Sequence, residues 1–252
     1  LNPPTLSIPG IGELTTAVII SEFGDFSKFS NANKLLSFAG LEPGINQSGT
    51  MLANGKMVKR GSGYLRYSLM NVSLTVIRYN NIFYDYYYKI TVENWLKLAE
   101  DAKTMGYEYL FVEPMSIDRE FGNTIEKTEK LLEDLKCSAI PIKLCLDLGH
   151  APHPDCRDYK EWLERFAKDS PIIHLQQTVL NSSNHSPFTK HFNDTGIIKA
   201  DEVLDILNQH NSSPELVLEL SFREKHEVEP TIITDLKESV DYWKNTINKF
   251  NN

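Results

Sequence analysis

Four times between Tyr107 and Glu219, an apolar run of strand type ends in a residue able to bind a divalent cation. Tyr109–Glu113, Ile142–Asp147 and Leu216–Glu219 each end in a carboxylate. Ile172–Gln176 offers His174 and Gln176, which are two positions apart and so project to the same side of a strand. His150 follows Asp147 by three positions. One such residue alone more often caps a helix or pairs with Lys or Arg. Four in succession, one per strand, point to a shared site.

Elements must bring them together. The gaps between Glu113, Asp147, Gln176 and Glu219 are 34, 29 and 43 positions, and each holds an amphipathic helical pattern. Strands alternating with helices at that spacing predict a parallel α/β sheet. In such sheets the carboxyl ends of the strands converge, so residues a hundred positions apart can meet around one ion.

The chain has 252 residues, 41% hydrophobic and 24% charged, which fits one large or two small globular domains and argues against disorder. Its net charge of −8 is unevenly placed: residues 1–90 hold eight Lys/Arg against five acids, leaving −11 for the remainder. A mildly basic block can approach phosphates, whereas the acidic block is a poor partner for nucleic acid. Cys137, Cys145 and Cys156 are odd in number and lack metal-type spacing, and Cys145 lies inside a strand run as a small hydrophobe. A reducing cytoplasm is the expected setting. No signal peptide is visible and no apolar run approaches the ~18 residues of a membrane span, so no membrane partner is expected.

In the basic block, Gly10-Ile-Gly12 precedes a helical pattern from Glu13, and such a turn offers backbone N–H groups to a phosphate, as in a helix-hairpin-helix clamp. Ser30–Gly40 reads as a capped helix, Asn54-Gly55 as a hairpin turn, and Tyr64, Leu65, Leu69, Val72, Val76 and Ile77 as one helical stripe. Lys59, Arg60 and Arg66 are the cations placed to meet DNA. A Ser beside Gly on a loop near Lys56, Lys59 and Arg60 has the surroundings of a nucleophile attacking a phosphodiester; a turn serine is the plainer reading.

Ser7–Gly12, Phe29–Pro43, Asn46–Gly49 and Lys59–Arg66 occur in the order found in the C-terminal domain of DEDD-type insertion-sequence transposases, which residues 1–90 resemble. The resemblance implies DNA contact through Gly10, Gly12, Lys59, Arg60 and Arg66, and a phosphoserine link at Ser48. Tyr67 stands where that family would have a second Arg. Without the family's RuvC-like domain, transposition itself is not expected.

From Thr91 the character changes to an acidic amphipathic helix ending at Gly106, with no Gly/Ser/Pro linker before it. Residues 91–252 are similar to xylose-isomerase-like sugar-phosphate isomerases and epimerases, especially those acting on erythrulose phosphate. The likeness rests on Phe111–Met115, Leu146–His150, Ile173–Thr178, Pro187–Thr189, Gly196–Ile198 and Leu218–Arg223. That family folds as an eight-stranded barrel, and the strands here match its fifth to eighth. The resemblance implies an α/β chain: a small, mainly helical N-terminal domain plus a half (β/α)8 barrel.

Epimerisation or isomerisation next to a carbonyl needs a base, an acid and a cation to stabilise the enediolate. The resemblance implies that Glu113, Asp147, Gln176 and Glu219 hold Mn²⁺ or Mg²⁺, with His174 as the other candidate for the third place. It also gives Glu113 and Glu219 acid/base roles, and has His150 and Arg223 contact a small sugar phosphate. The expected function is a fusion of two truncated genes, with weak DNA binding and partial epimerase character, and neither activity intact. An active epimerase made of two half-barrels, or a DNA-binding fragment alone, are the alternatives. Open sheet edges predict a homo-oligomer through the half-barrel.

Overall fold

A computed structural model describes residues 3–48, 51–115, 117, 120–150, 158–222 and 229–250. They divide into two compact units, Leu1–Lys89 and Ile90–Asn252. No helix among them is long and apolar enough to cross a membrane.

The first unit runs from a short 3-10 turn at Pro4–Ser7 into α1 (Glu13–Phe23) and α2 (Ala32–Ala39). A hairpin of β1 (Pro43–Ser48) and β2 (Met51–Met57) follows, then α3 (Gly63–Tyr79). Side-chain caps start α2 and α3: Asn31 accepts from the Lys34 N–H and Ser62 from the Leu65 N–H. Ile19, Phe23, Ala39 and Leu65 form the core, with Phe29, Leu35, Leu41, Leu69 and Val72 packed on it. Two expectations fail here. Tyr64 is 78% exposed and lies outside the core stripe. Asn54-Gly55 is not the hairpin turn, because Asn54 pairs with Ile45 inside β2. The register slips between Pro43 and Ile45, so the glycine falls at a bulge, which tolerates it as a turn would.

α4 (Asn81–Thr104) continues without a break past the boundary at Lys89, where the sequence shows only a change of character near residue 90. Beyond Gly106, at φ +86, the second unit repeats strand and helix. Its elements are β3 (Leu110–Val112), α5 (Ile125–Asp134), β4 (Ile142–Asp147), α6 (Tyr159–Phe166) and β5 (Ile172–Leu175), then α7 (Lys190–Thr195), α8 (Ala200–Gln209), β6 (Glu215–Leu218) and α9 (Glu229–Phe250). The sheet order is β3-β4-β5-β6, all parallel. Alternate residues Val112, Leu144, Leu146, Ile173 and Leu175 are buried at 8% exposure or less, on the side that the helices cover. Leu163 and Phe166 of α6, Val203 and Leu207 of α8 and Trp243 of α9 are buried too. β3 and β6 are the sheet edges among the described residues. Ala99 and Ala102 of α4 pack near β3, and Ile247 of α9 lines a groove with Leu216 of β6.

Candidate metal centre

Every strand of the four-stranded sheet delivers one residue to its carboxyl end. Asp147 closes β4 and His174 lies in β5, while Glu113 and Glu219 stand one residue beyond β3 and β6. Donor atoms of Glu113, Asp147, His174 and Glu219 all lie within 4.8 Å of one another. His174 Nδ1 is 2.7 Å from Glu219 Oε2 and 3.9 Å from Glu113 Oε1. Donors on one divalent ion lie about 3 Å apart when adjacent and about 4 Å when opposite, given metal–ligand distances of about 2.1 Å. His174 Nδ1 and Glu219 Oε2 are also buried without a hydrogen bond of acceptable geometry. Two buried orphan atoms at that separation, among three carboxylates, fit a shared cation.

A tight turn holds Asp147. Its Oδ1 accepts the N–H groups of Gly149 (2.7 Å) and His150 (3.2 Å), the usual reach of an Asp over its own turn. Gly149 has no room for a side chain, because a Cβ would come within 2.2 Å of Gln176 Cγ. Gln176, fully buried, donates its amide to both Asp147 oxygens (3.1 and 2.9 Å) and accepts the His185 N–H (2.6 Å). Its carboxamide is therefore spent on orienting Asp147 and a loop, and the imidazole of His174 stands in the donor cluster. Gln177 acts similarly one residue later, bonding Asn193 and both backbone groups of Ile198, with Gly196 against its side chain.

His150 is 8% exposed. Its Nδ1 lies 3.2 Å from Glu113 Oε1 and 3.6 Å from Asp147 Oδ2, and its Nε2 lies 3.3 Å from Nε2 of His185. His185, absent from the sequence reading, joins Asp147 and His150 in a second group of donors.

The electrostatics reflect crowding. Burial pushes the Asp147 carboxyl up to about 7, against the opposing pull of His150 and the Gln176 amide; its contact with Glu219 adds to the rise. Burial opposes ionisation of Glu219 as well, but the hydrogen bond with Asp147 and the imidazoles of His174, His185 and His150 hold it below its ordinary value. For His150, burial works to lower the basicity, yet Glu113, Asp147 and Glu219 leave it raised. Burial and the same three carboxylates push Cys145 up to about 12, so it remains a neutral thiol.

The remaining candidates are scattered. Ser48 ends β1, in the first unit, while Arg223 and Cys156 lie outside the described residues. Lys59 and Arg60 are exposed. Arg66 instead donates to the carbonyls of Ala39 (3.2 Å) and Gly61 (3.0 Å). Gly12 precedes α1 with open space about it, and Gly10, at φ +97, lies against the Thr75 carbonyl of α3.

Two family models match. The transposase IS116/IS110/IS902 family covers residues 5–88, and the xylose isomerase-like TIM barrel covers residues 65–246. D-erythrulose 1-phosphate 3-epimerase of Brucella abortus is 37% identical over 162 residues, 62% of this chain and 52% of that protein. The insertion element IS110 uncharacterized 43.6 kDa protein of Streptomyces coelicolor is 41% identical over 61 residues, 24% of this chain and 15% of that protein. The chain thus spans about half the length of the epimerase. A crystal structure from Rhodospirillum rubrum, assigned as a xylose isomerase, superposes with a TM-score of 0.58 at 24% identity, over 66% of this chain and 56% of its own. That likeness concerns the fold. With most of its length matched, this chain belongs to the xylose isomerase-like TIM barrel family.

Proposed function

We propose that residues 91–252 form a partial sugar-phosphate epimerase with its metal centre at Glu113, Asp147, His174 and Glu219, joined to a DNA-contacting block of residues 1–90. The convergence of four strand-end donors within 4.8 Å carries the first half of this reading. Epimerisation next to a ketone breaks a C–H bond, sends the electron pair onto the carbonyl oxygen and returns a proton on the opposite face. Glu113 and Glu219 are the carboxylates that take and return it, and His150 and Arg223 hold the substrate. A bound Mn²⁺ or Mg²⁺ supplies positive charge beside the developing oxyanion. Gln176 keeps Asp147 in place instead of acting as a ligand.

The substrate is a short ketose phosphate, in keeping with the name of the Brucella relative. Proton removal is a smaller demand than complete turnover, so it is the step to measure. In D₂O with Mn²⁺, the chain should exchange the C3 proton of D-erythrulose 1-phosphate, followed by NMR. Glu113→Gln or Glu219→Gln should slow that exchange about 100-fold or more. No exchange above the metal-only background would defeat the epimerase reading.

The match of residues 5–88 to a transposase family favours the second half. Exposed Lys59 and Arg60 and the Gly10–Gly12 turn neutralise only a few phosphates, so duplex affinity should be weak and drop steeply with salt. In gel-shift assays at low salt, the double variant Lys59→Ala, Arg60→Ala is expected to bind several-fold more weakly and with a shallower salt slope. An unchanged slope would mean that DNA is held elsewhere. Ser48 has the sequence context of a nucleophile in that block.

A further inference from the structure

His185 is held in a conformation that histidine rarely adopts. Its φ is +49, in the left-handed region, where a non-glycine residue is strained. Two long-range bonds hold it there: its N–H donates to Gln176 Oε1 (2.6 Å) at the end of β5, and its carbonyl accepts the Ser221 N–H (2.9 Å) beyond β6. An antiparallel bridge between Gln177 and Ser186 braces the same loop. What the strained backbone achieves is the placement of one imidazole. Its Nε2 stands 3.3 Å from His150 Nε2, the rings meeting edge to face, and its Nδ1 stands 3.8 Å from Glu219 Oε1. The side chain stays 25% exposed. Nothing in the packing requires histidine here, since the two bonds that fix the loop come from its backbone.

We infer that His185 is a substrate-contacting residue, its imidazole sharing with His150 the grip on an oxygen of the bound ketose phosphate next to the carbon that exchanges its proton. This rests on the epimerase reading above. The chemistry fits a hydroxyl or carbonyl oxygen. Two imidazole nitrogens 3.3 Å apart can both lie within hydrogen-bond reach of one such oxygen, one donating and one accepting, whereas three nearby carboxylates would repel a phosphate dianion. Gln176 becomes a positioning residue for both halves of the site, with its amide on Asp147 and its carbonyl oxygen on the loop that carries His185.

The experiment pairs His185→Gly with His185→Asn in the full chain loaded with Mn²⁺. Glycine accepts φ +49 without strain, so His185→Gly should unfold no more easily than wild type and bind Mn²⁺ within twofold of it. Its affinity for D-erythrulose 1-phosphate, read by calorimetry, should fall about tenfold or more. Asparagine tolerates the same backbone and restores a donor and an acceptor, so His185→Asn should recover part of the loss. Unchanged sugar-phosphate affinity in His185→Gly overturns the assignment while leaving the metal centre intact. A tenfold loss of Mn²⁺ affinity overturns it too, because His185 would then be a ligand. A wild-type chain that binds Mn²⁺ but no sugar phosphate sinks the epimerase reading, and this inference with it.

Discussion

Titrated with Mn²⁺ near pH 8, the chain is expected to bind the ion, and Asp147→Asn or Glu219→Gln to weaken that binding about 10- to 100-fold. The size of the effect follows from the geometry: the four donors lie within 4.8 Å, and no neighbouring carboxylate among the described residues could replace one that is lost. Proton and cation compete for Asp147. Its carboxyl is pushed up to about 7 by burial, so affinity should rise as pH increases through that value, with proton release on binding. The ion-free chain should behave in the opposite sense. A folded-state value above the unfolded one means that the folded chain holds more protons between about pH 4 and 7, and stability conferred by this group is lost as pH rises through that window. Added Mn²⁺ should remove the loss, so melting curves with and without metal should diverge above neutrality. Equal affinity in wild type and both variants would exclude these carboxylates as ligands.

Gly40→Ala should take away a large part of the first unit's stability and lower its melting temperature well below wild type. Gly40 ends α2 at φ +68, with its N–H on the carbonyls of Leu36 and Ser37 and the next N–H, of Leu41, reaching back to Leu36. A Cβ there would lie 1.8 Å from the Arg60 carbonyl oxygen, and one on Gly61, at φ +101, would lie 2.1 Å from that of Phe38. The end of α2 and the segment before α3 thus pass backbone against backbone, with a glycine on each side. Left-handed strain costs about 1–2 kcal/mol, and displacing a main-chain carbonyl adds about 2 more. Domains this small have roughly 5–10 kcal/mol in hand. Arg66 bonds carbonyls on both segments, so it would lose its anchor as well. Gly24→Ala is the control: it shares a positive φ of +65, but only the tip of Lys28 is near. If Gly40→Ala melts no lower than Gly24→Ala, the close approach is not what holds the unit together.

The sheet was legible because its strands are buried on one face by helices and end in polar residues, so hydrophobic runs and their endings coincide with structure. Glu113, Asp147, His174 and Glu219 meet as that pattern implies. The choice between His174 and Gln176 could not be read from alternation, because β5 ends at Leu175 and Gln176 lies beyond the last regular residue. His185 carried no signal at all: two hydrogen bonds from other strand ends place it, and neither has a periodicity. In the first unit, Asn54-Gly55 has turn chemistry but lies inside β2, where the pairing register slips. Pairing of two copies through the sheet edges was expected from strand count alone. Such pairing must also accommodate α4 beside β3 and α9 beside β6, neighbours that a count of strands does not reveal.

The sheet's spatial order is also its order in the chain, β3 to β6, and this bears on how the molecule is made. A ribosome delivers roughly 5–20 residues each second, so Glu219 emerges roughly 5–20 seconds after Glu113. Each new strand can pair at once with the one just finished, and no early strand waits for a distant mate. The four candidate donors arrive in the same sequence, one per strand. A nascent chain halted before β6 would thus carry three of the four donors, together with a bare parallel edge along β5. That edge, with its unpaired N–H and C=O groups, is where such a halted chain could pair with another strand.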